Sequence, residues 1–180
     1  MRRFLVGVMM FAGLTAVAPR TRADDAMWRT FRGRVVFSDI APAPAYNFPS
    51  GQARTVALQR IGRSEIDQTD GFWRIHMVVF LERPATTDTL LLRAFDVGAP
   101  KAQAGRSSEP RQVRVFEVPA DRGATELRLD DFVVTEAMGF ERGATYEFSV
   151  EAPPEDGNPF AATKKAGKAD AYAKGVITLR

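Results

Sequence analysis

Side-chain alternation with a period of two recurs along most of this chain and constrains its fold more than any other feature. A β-strand sends successive side chains to opposite faces, so apolar residues at every second position mark a strand with one face in a core. In "FWRIHMVVFL" this places Trp73, Ile75, Met77, Val79 and Leu81 together. In "GATYEFSVEA" it places Tyr146, Phe148, Val150 and Ala152 inward and Glu147, Ser149 and Glu151 outward. "TFRGRVVFS" puts Phe31, Gly33, Val35 and Phe37 on one face, and "ARTVALQRI" puts Val56 and Leu58 on one face. "TLLLRAFDV" is apolar on both sides near Leu90 to Leu92, as in a central strand, while "RQVRVFEVP" and "KGVITLR" complete the set. Turn signals separate these runs: Asp70-Gly71, Arg122-Gly123, Arg142-Gly143 and others. Helical periodicity is scarce. The pattern predicts an all-β chain, a single antiparallel β-sandwich of about 7–9 strands.

One strand carries a slip. In "TELRLDDFVVT" the apolar face runs Leu127, Leu129, then Phe132, Val134, which strict alternation would not allow. One inserted residue restores the phase, so a β-bulge or sharp bend is predicted at Asp130-Asp131. The two carboxylates point to opposite faces of a strand and do not form an acid–base pair.

The first residues read as an export signal. Arg2 and Arg3 precede an apolar run from Phe4 to Ala18, short for a membrane span, and Thr21-Arg22-Ala23 offers a small-residue cleavage site. Ala16-Val17-Ala18 is a second such site, but Pro19 follows it directly. The reading is therefore a signal peptide over 1–23, a sandwich over 24–180, and a periplasmic or extracellular protein that is not integral to the membrane once cleaved. Four of the 25 Lys and Arg leave with residues 1–23, and none of the 22 Asp and Glu do. The remaining balance, 21 against 22, is a net charge of −1, too little cation excess for a nucleic-acid partner. The chain has no cysteine, which fits a bacterial envelope better than a small disulfide-built secreted domain.

"GFERGATYEFSVEA", Gly139 to Ala152, resembles the E–F corner and F strand of fibronectin type III and related Ig-like domains. The apolar residue, the glycine turn and the following Thr-Tyr correspond to Phe140, Gly143, Thr145 and Tyr146; Arg142 stands where that family usually has proline. The resemblance covers fourteen residues. It implies a tyrosine-corner role for Tyr146, with its hydroxyl bonded back to upstream backbone, and a core role for Trp73 in the Ig-like sense. It implies nothing about function.

Chemistry-bearing residues are few. His76, the only histidine, shares the mixed face of its strand with Phe72, Arg74, Val78 and Phe80, and that phase predicts an outward, half-exposed side chain. No nucleophile motif accompanies it. With one histidine and no cysteine, no N/S-ligated metal site is expected, and the acidic turns around Glu65, Asp67, Asp70 and around Glu155, Asp156, Asn158 do not fit a calcium loop. No catalytic residue, cofactor or metal is expected. Long connections remain: "DIAPAPAYNFPSGQ", with Tyr46 and Phe48 as candidate aromatic anchors; "GAPKAQAGRSSEPR"; and "PPEDGNPFAATKKAGKADAYA", with Lys164, Lys165 and Lys168 as a candidate anionic-surface contact. The functional expectation is a non-enzymatic binding or assembly module whose partner is a protein or other envelope component. Its affinity would come from the loops Gly98–Arg111 and Pro153–Lys174 at one end of the sandwich. The alternatives are a hydrolase centred near His76 and an accessory subunit pairing through a sheet edge.

Overall fold

A computed structural model describes residues 28–41, 51–98, 110–154 and 171–180. In chain order these form β1 (Arg34–Ser38), α1 (Gly51–Ile61), β2 (Glu65–Ile66), β3 (Phe72–Phe80), β4 (Thr89–Asp96), β5 (Arg111–Pro119), β6 (Glu126–Thr135), a 3₁₀ turn, β7 (Thr145–Glu151) and β8 (Ala173–Leu179). The chain is mostly β, as its alternation requires. The strands form one curled sheet in the order β5-β4-β7-β8-β1-β3-β6, with β2 also on β8. The expectation of purely antiparallel pairing is corrected here: β8 runs parallel to both β1 and β2.

The bend lies at β8. It pairs with β7 from Thr145↔Thr178 to Val150↔Ala173, but with β1 through the single pair Arg34↔Lys174. Gly175 makes this approach feasible. A Cβ there would lie 2.7 Å from the Phe37 ring and 2.8 Å from the Val35 side chain. The strands β5-β4-β7-β8 thus fold over against β1-β3-β6. The two edge strands face each other across the interior, Phe116 of β5 meeting Phe132 of β6 with ring centroids 4.8 Å apart.

The core between the halves is the alternating set. Trp73, Ile75, Met77, Val79 and Leu81 meet Leu90, Leu92, Ala94, Tyr146, Phe148, Val150, Ile177 and Leu179, all buried. The Trp73 indole N–H donates to the Arg180 carbonyl at 2.9 Å. Burying a large apolar side chain of this kind contributes about 1.5–3 kcal/mol.

The predicted strand "ARTVALQRI" is instead the helix α1. Its Ala, Arg, Gln and Leu residues favour helix, and Ala57, Leu58 and Ile61 fall within one turn. They pack on Val36, Val78 and Phe80 from outside the sheet. Phe31, expected beside Val35 in the main core, joins this second cluster and stacks on Phe80 at 5.1 Å. Strand β3 is therefore covered on both faces, which explains its nearly unbroken apolar run.

Two backbone features follow the sequence closely. Asp70 and Gly71 both have positive φ (53° and 84°) between the bridged residues Thr69 and Phe72, the chemistry of a two-residue type I′ hairpin turn. On β6, Asp131 has φ 55° and the β3–β6 register shifts between Ile75 and Met77. That is the predicted bulge at Asp130-Asp131.

Candidate functional site at the loop end of the sheet

Antiparallel pairing fixes which connections are neighbours. Asp96 pairs with Tyr146 and Leu91 with Glu151, so the connection after β4 and the one after β7 leave from opposite ends of the sheet. The expectation that Gly98–Arg111 and Pro153–Lys174 share one end is thereby overturned. The end of β7 is shared instead by the β3–β4 loop and the β5–β6 loop.

These two loops are tied to each other through backbone. Ala85 N–H donates to Ala124 O at 2.8 Å, Gly123 N–H to Ala85 O at 2.8 Å, Ala120 N–H to Asp88 O at 3.0 Å, and Leu81 N–H to Thr125 O at 2.9 Å. Beside them lies an open cleft of about 530 Å³, lined by apolar Pro119, Ala120, Ala124 and Leu127 together with Asp88, Asp121, Arg122 and Arg128. Arg122 and Asp88 form an exposed ion pair at 2.9 Å, worth at most about 1 kcal/mol. A second cleft of about 520 Å³ at the opposite end holds Asp39, Arg63, Glu65, Asp67, Thr69 and Arg180. Its arginines are taken up by Asp39 (3.2 Å) and Glu65 (2.6 Å), and no apolar side chain lines it. Ligand sites combine apolar surface with a few convergent polar groups, so the first cleft is the better candidate.

The sequence-derived candidates Tyr46, Phe48, Lys164, Lys165 and Lys168 lie outside the described residues. The prediction for His76 is corrected. It is 4% exposed rather than half-exposed. Strict alternation failed because the outer face of β3 is itself covered and because β6 bulges opposite it. The Asp131 N–H donates to Nδ1 at 3.2 Å, so Nδ1 is unprotonated and the ring proton of the neutral form sits on Nε2, 4.0 Å from the Asp131 carboxylate. Arg74 binds that same carboxylate at 3.0 Å. The nearest hydroxyl by register is Ser38, but its Oγ is engaged with the Ile40 backbone. His76 therefore pins the bulge, and the arrangement supplies no activated nucleophile.

Sequence reasoning missed Arg93. It is 2% exposed on β4, where its Nε donates to Glu151 Oε2 at 2.9 Å and its Nη1 to Gln112 Oε1 at 2.9 Å. The Ser149 hydroxyl donates to the other Glu151 oxygen at 2.9 Å. The available signal was one cation inside a doubly apolar strand, facing the outward row Ser149 and Glu151 of β7. This is a charge-balanced structural network with no reactive group.

Tyr146 is buried at the start of β7, and the Glu141 N–H donates to its Oη at 2.6 Å. Burial first, then the nearby Asp96 and Glu141 carboxylates, hold its phenol above the usual 10.0, opposed by the Glu141 N–H and by Arg111. Among the described residues no cluster of His, Asp and Glu is suited to a metal ion, and no helix is long and apolar enough to cross a membrane. Comparison with models of known protein families and with curated proteins finds no match.

Proposed function

We propose that this chain is an exported, fibronectin III-like or Ig-like sandwich that acts as a non-enzymatic binding module of a bacterial envelope, with its contact surface at the loop end. The observation that carries the reading is the pair of cross-tied loops 81–88 and 120–125 beside a cleft of mixed apolar and charged lining. Loops held in place before binding lose little entropy on complex formation, which favours recognition. The strand order supports the same view. In Ig-like sandwiches strands A, B and E form one sheet and C, F and G the other. The order β4-β7-β8 followed by β1-β3-β6 within the single curled sheet, with β5 beside β4, is compatible with that scheme. The Tyr146–Glu141 bond takes the position of the tyrosine corner. In that scheme the B–C and F–G connections lie at the end used by antibody variable domains for binding. At the β6 edge the edge-pairing alternative has less support, because that strand carries the bulge and alternating charges that discourage strand addition.

The test immobilises the protein through a cysteine substituted for Asp67, at the end away from the cleft; the chain has no cysteine of its own. Envelope extract is passed over this protein and over its Asp121→Lys/Arg122→Glu variant. A component retained by the first and lost by the second is the expected result. Equal retention by both proteins contradicts the assignment.

A further inference from the structure

Besides the cleft, we infer that the surface where the chain enters β1 docks onto anionic phospholipid headgroups. Arg29, Arg32, Arg34, Arg83 and Lys174 are all exposed there. Backbone contacts hold most of them together. Arg34 stands directly opposite Lys174, and the Lys174 N–H donates to Gly33 O at 3.0 Å. Arg32 Nε donates to Glu82 O at 2.9 Å, and the Glu82 N–H donates to Tyr172 O at 2.7 Å. The Arg83 guanidinium lies 4.8 Å from the Tyr172 ring centroid. Facing these five cations are the carboxylates of Glu82 and Glu147, the latter bonded to Lys174 at 3.0 Å. Arg29 and Arg34 have no ion-pair partner among the described residues.

Such an arrangement works against folding. Like charges directly opposite in a sheet are destabilising, and a chain of net charge −1 after residue 23 has acids enough to avoid them. Glu147 already answers Lys174, so the cation of this pair left for an external anion is Arg34. The shape of the surface selects the class of anion. The cations are exposed and line neither of the two clefts, which suits a plane of many phosphates better than one soluble ion.

The experiment compares the full chain with its Arg29→Ser/Arg34→Ser variant, so that residues 1–23 contribute equally to both. Binding is measured to phosphatidylcholine vesicles with and without phosphatidylglycerol, in low and in high salt. Both substitutions fall on exposed side chains, and Arg34→Ser removes a like charge opposite Lys174, so thermal unfolding is unchanged or slightly raised. Each cation near an anionic surface contributes about fivefold in affinity, so the variant loses about 25-fold of the phosphatidylglycerol-dependent binding, and high salt removes most of the rest. Undiminished binding of the variant, or equal binding to both vesicle types, overturns the inference. Displacement by inorganic phosphate or by duplex DNA at matched ionic strength also overturns it, in favour of a soluble anion. Asp121→Asn alters the cleft and leaves vesicle binding intact, so the two readings can fail separately.

Discussion

His76 shows how one residue can be placed on the right face with the wrong exposure. Its strand phase was correct, and the residues on either side of it, Ile75 and Met77, are fully buried in the core. The opposite face turned out to be covered as well, and the imidazole caps the backbone N–H freed by the β6 bulge. His76→Ala leaves that N–H unpaired in a buried site and costs about 1–3 kcal/mol, where an exposed histidine would cost less than about 0.5; urea titration distinguishes the two. Tyr146 offers a second test. Tyr146→Phe removes the acceptor for the Glu141 N–H and costs about 1 kcal/mol. Because the folded state raises the Tyr146 pKa, its contribution is fully present below the unfolded value near 10.0. It is lost as pH rises through the folded value. Stability measured against alkaline pH therefore declines faster in the wild-type chain than in Tyr146→Phe. Arg93 belongs to the same scale. Removing its partner with Glu151→Gln leaves a cation buried without a counter-charge, a change that costs about 3–5 kcal/mol in comparable buried pairs.

At the scale of elements, the strands were legible and the helix was not. Most of the seven long strands announced themselves by alternation and β4 by its doubly apolar run, and even the bulge at Asp130-Asp131 was visible as a break in phase. Alternation reports one buried face, and it fails where an element is covered on both. α1 was misread because Val56 and Leu58 also fit a period of two, whereas the contacts that decide its conformation are Ala57, Leu58 and Ile61 against β3. β2 is two residues long and carries no periodic signal. Leu58→Ala is expected to cost about 2–5 kcal/mol, since the residue is fully buried between α1 and the sheet; loss of unfolding free energy in urea measures it. Gly175→Ala is expected to destabilise by at least about 1–3 kcal/mol, because the added methyl meets Phe37 and Val35 well inside contact distance. A Gly175→Ala protein as stable as wild type would remove the close β1–β8 approach on which the bend depends.

The whole molecule is a sheet bent over at β8, with cross-tied loops at one end and ion-paired turns at the other. None of the loop-end site was legible beforehand, because a cleft forms from residues far apart in sequence that only the strand order brings together. Sequence reasoning placed the binding loops at a common end; the antiparallel β4–β7 register separates them. Export is the expectation that sets the molecule's surroundings, and N-terminal sequencing of material from the periplasm or medium should begin at Asp24. The claim that the loop end is the working surface is tested most directly by photo-crosslinking in living cells. A photoreactive residue is introduced in place of Asp121 in one strain and of Asp67 in another, both positions being exposed. A discrete crosslinked envelope product from position 121, with none from position 67, is the predicted result. Crosslinking from position 67 alone would contradict it.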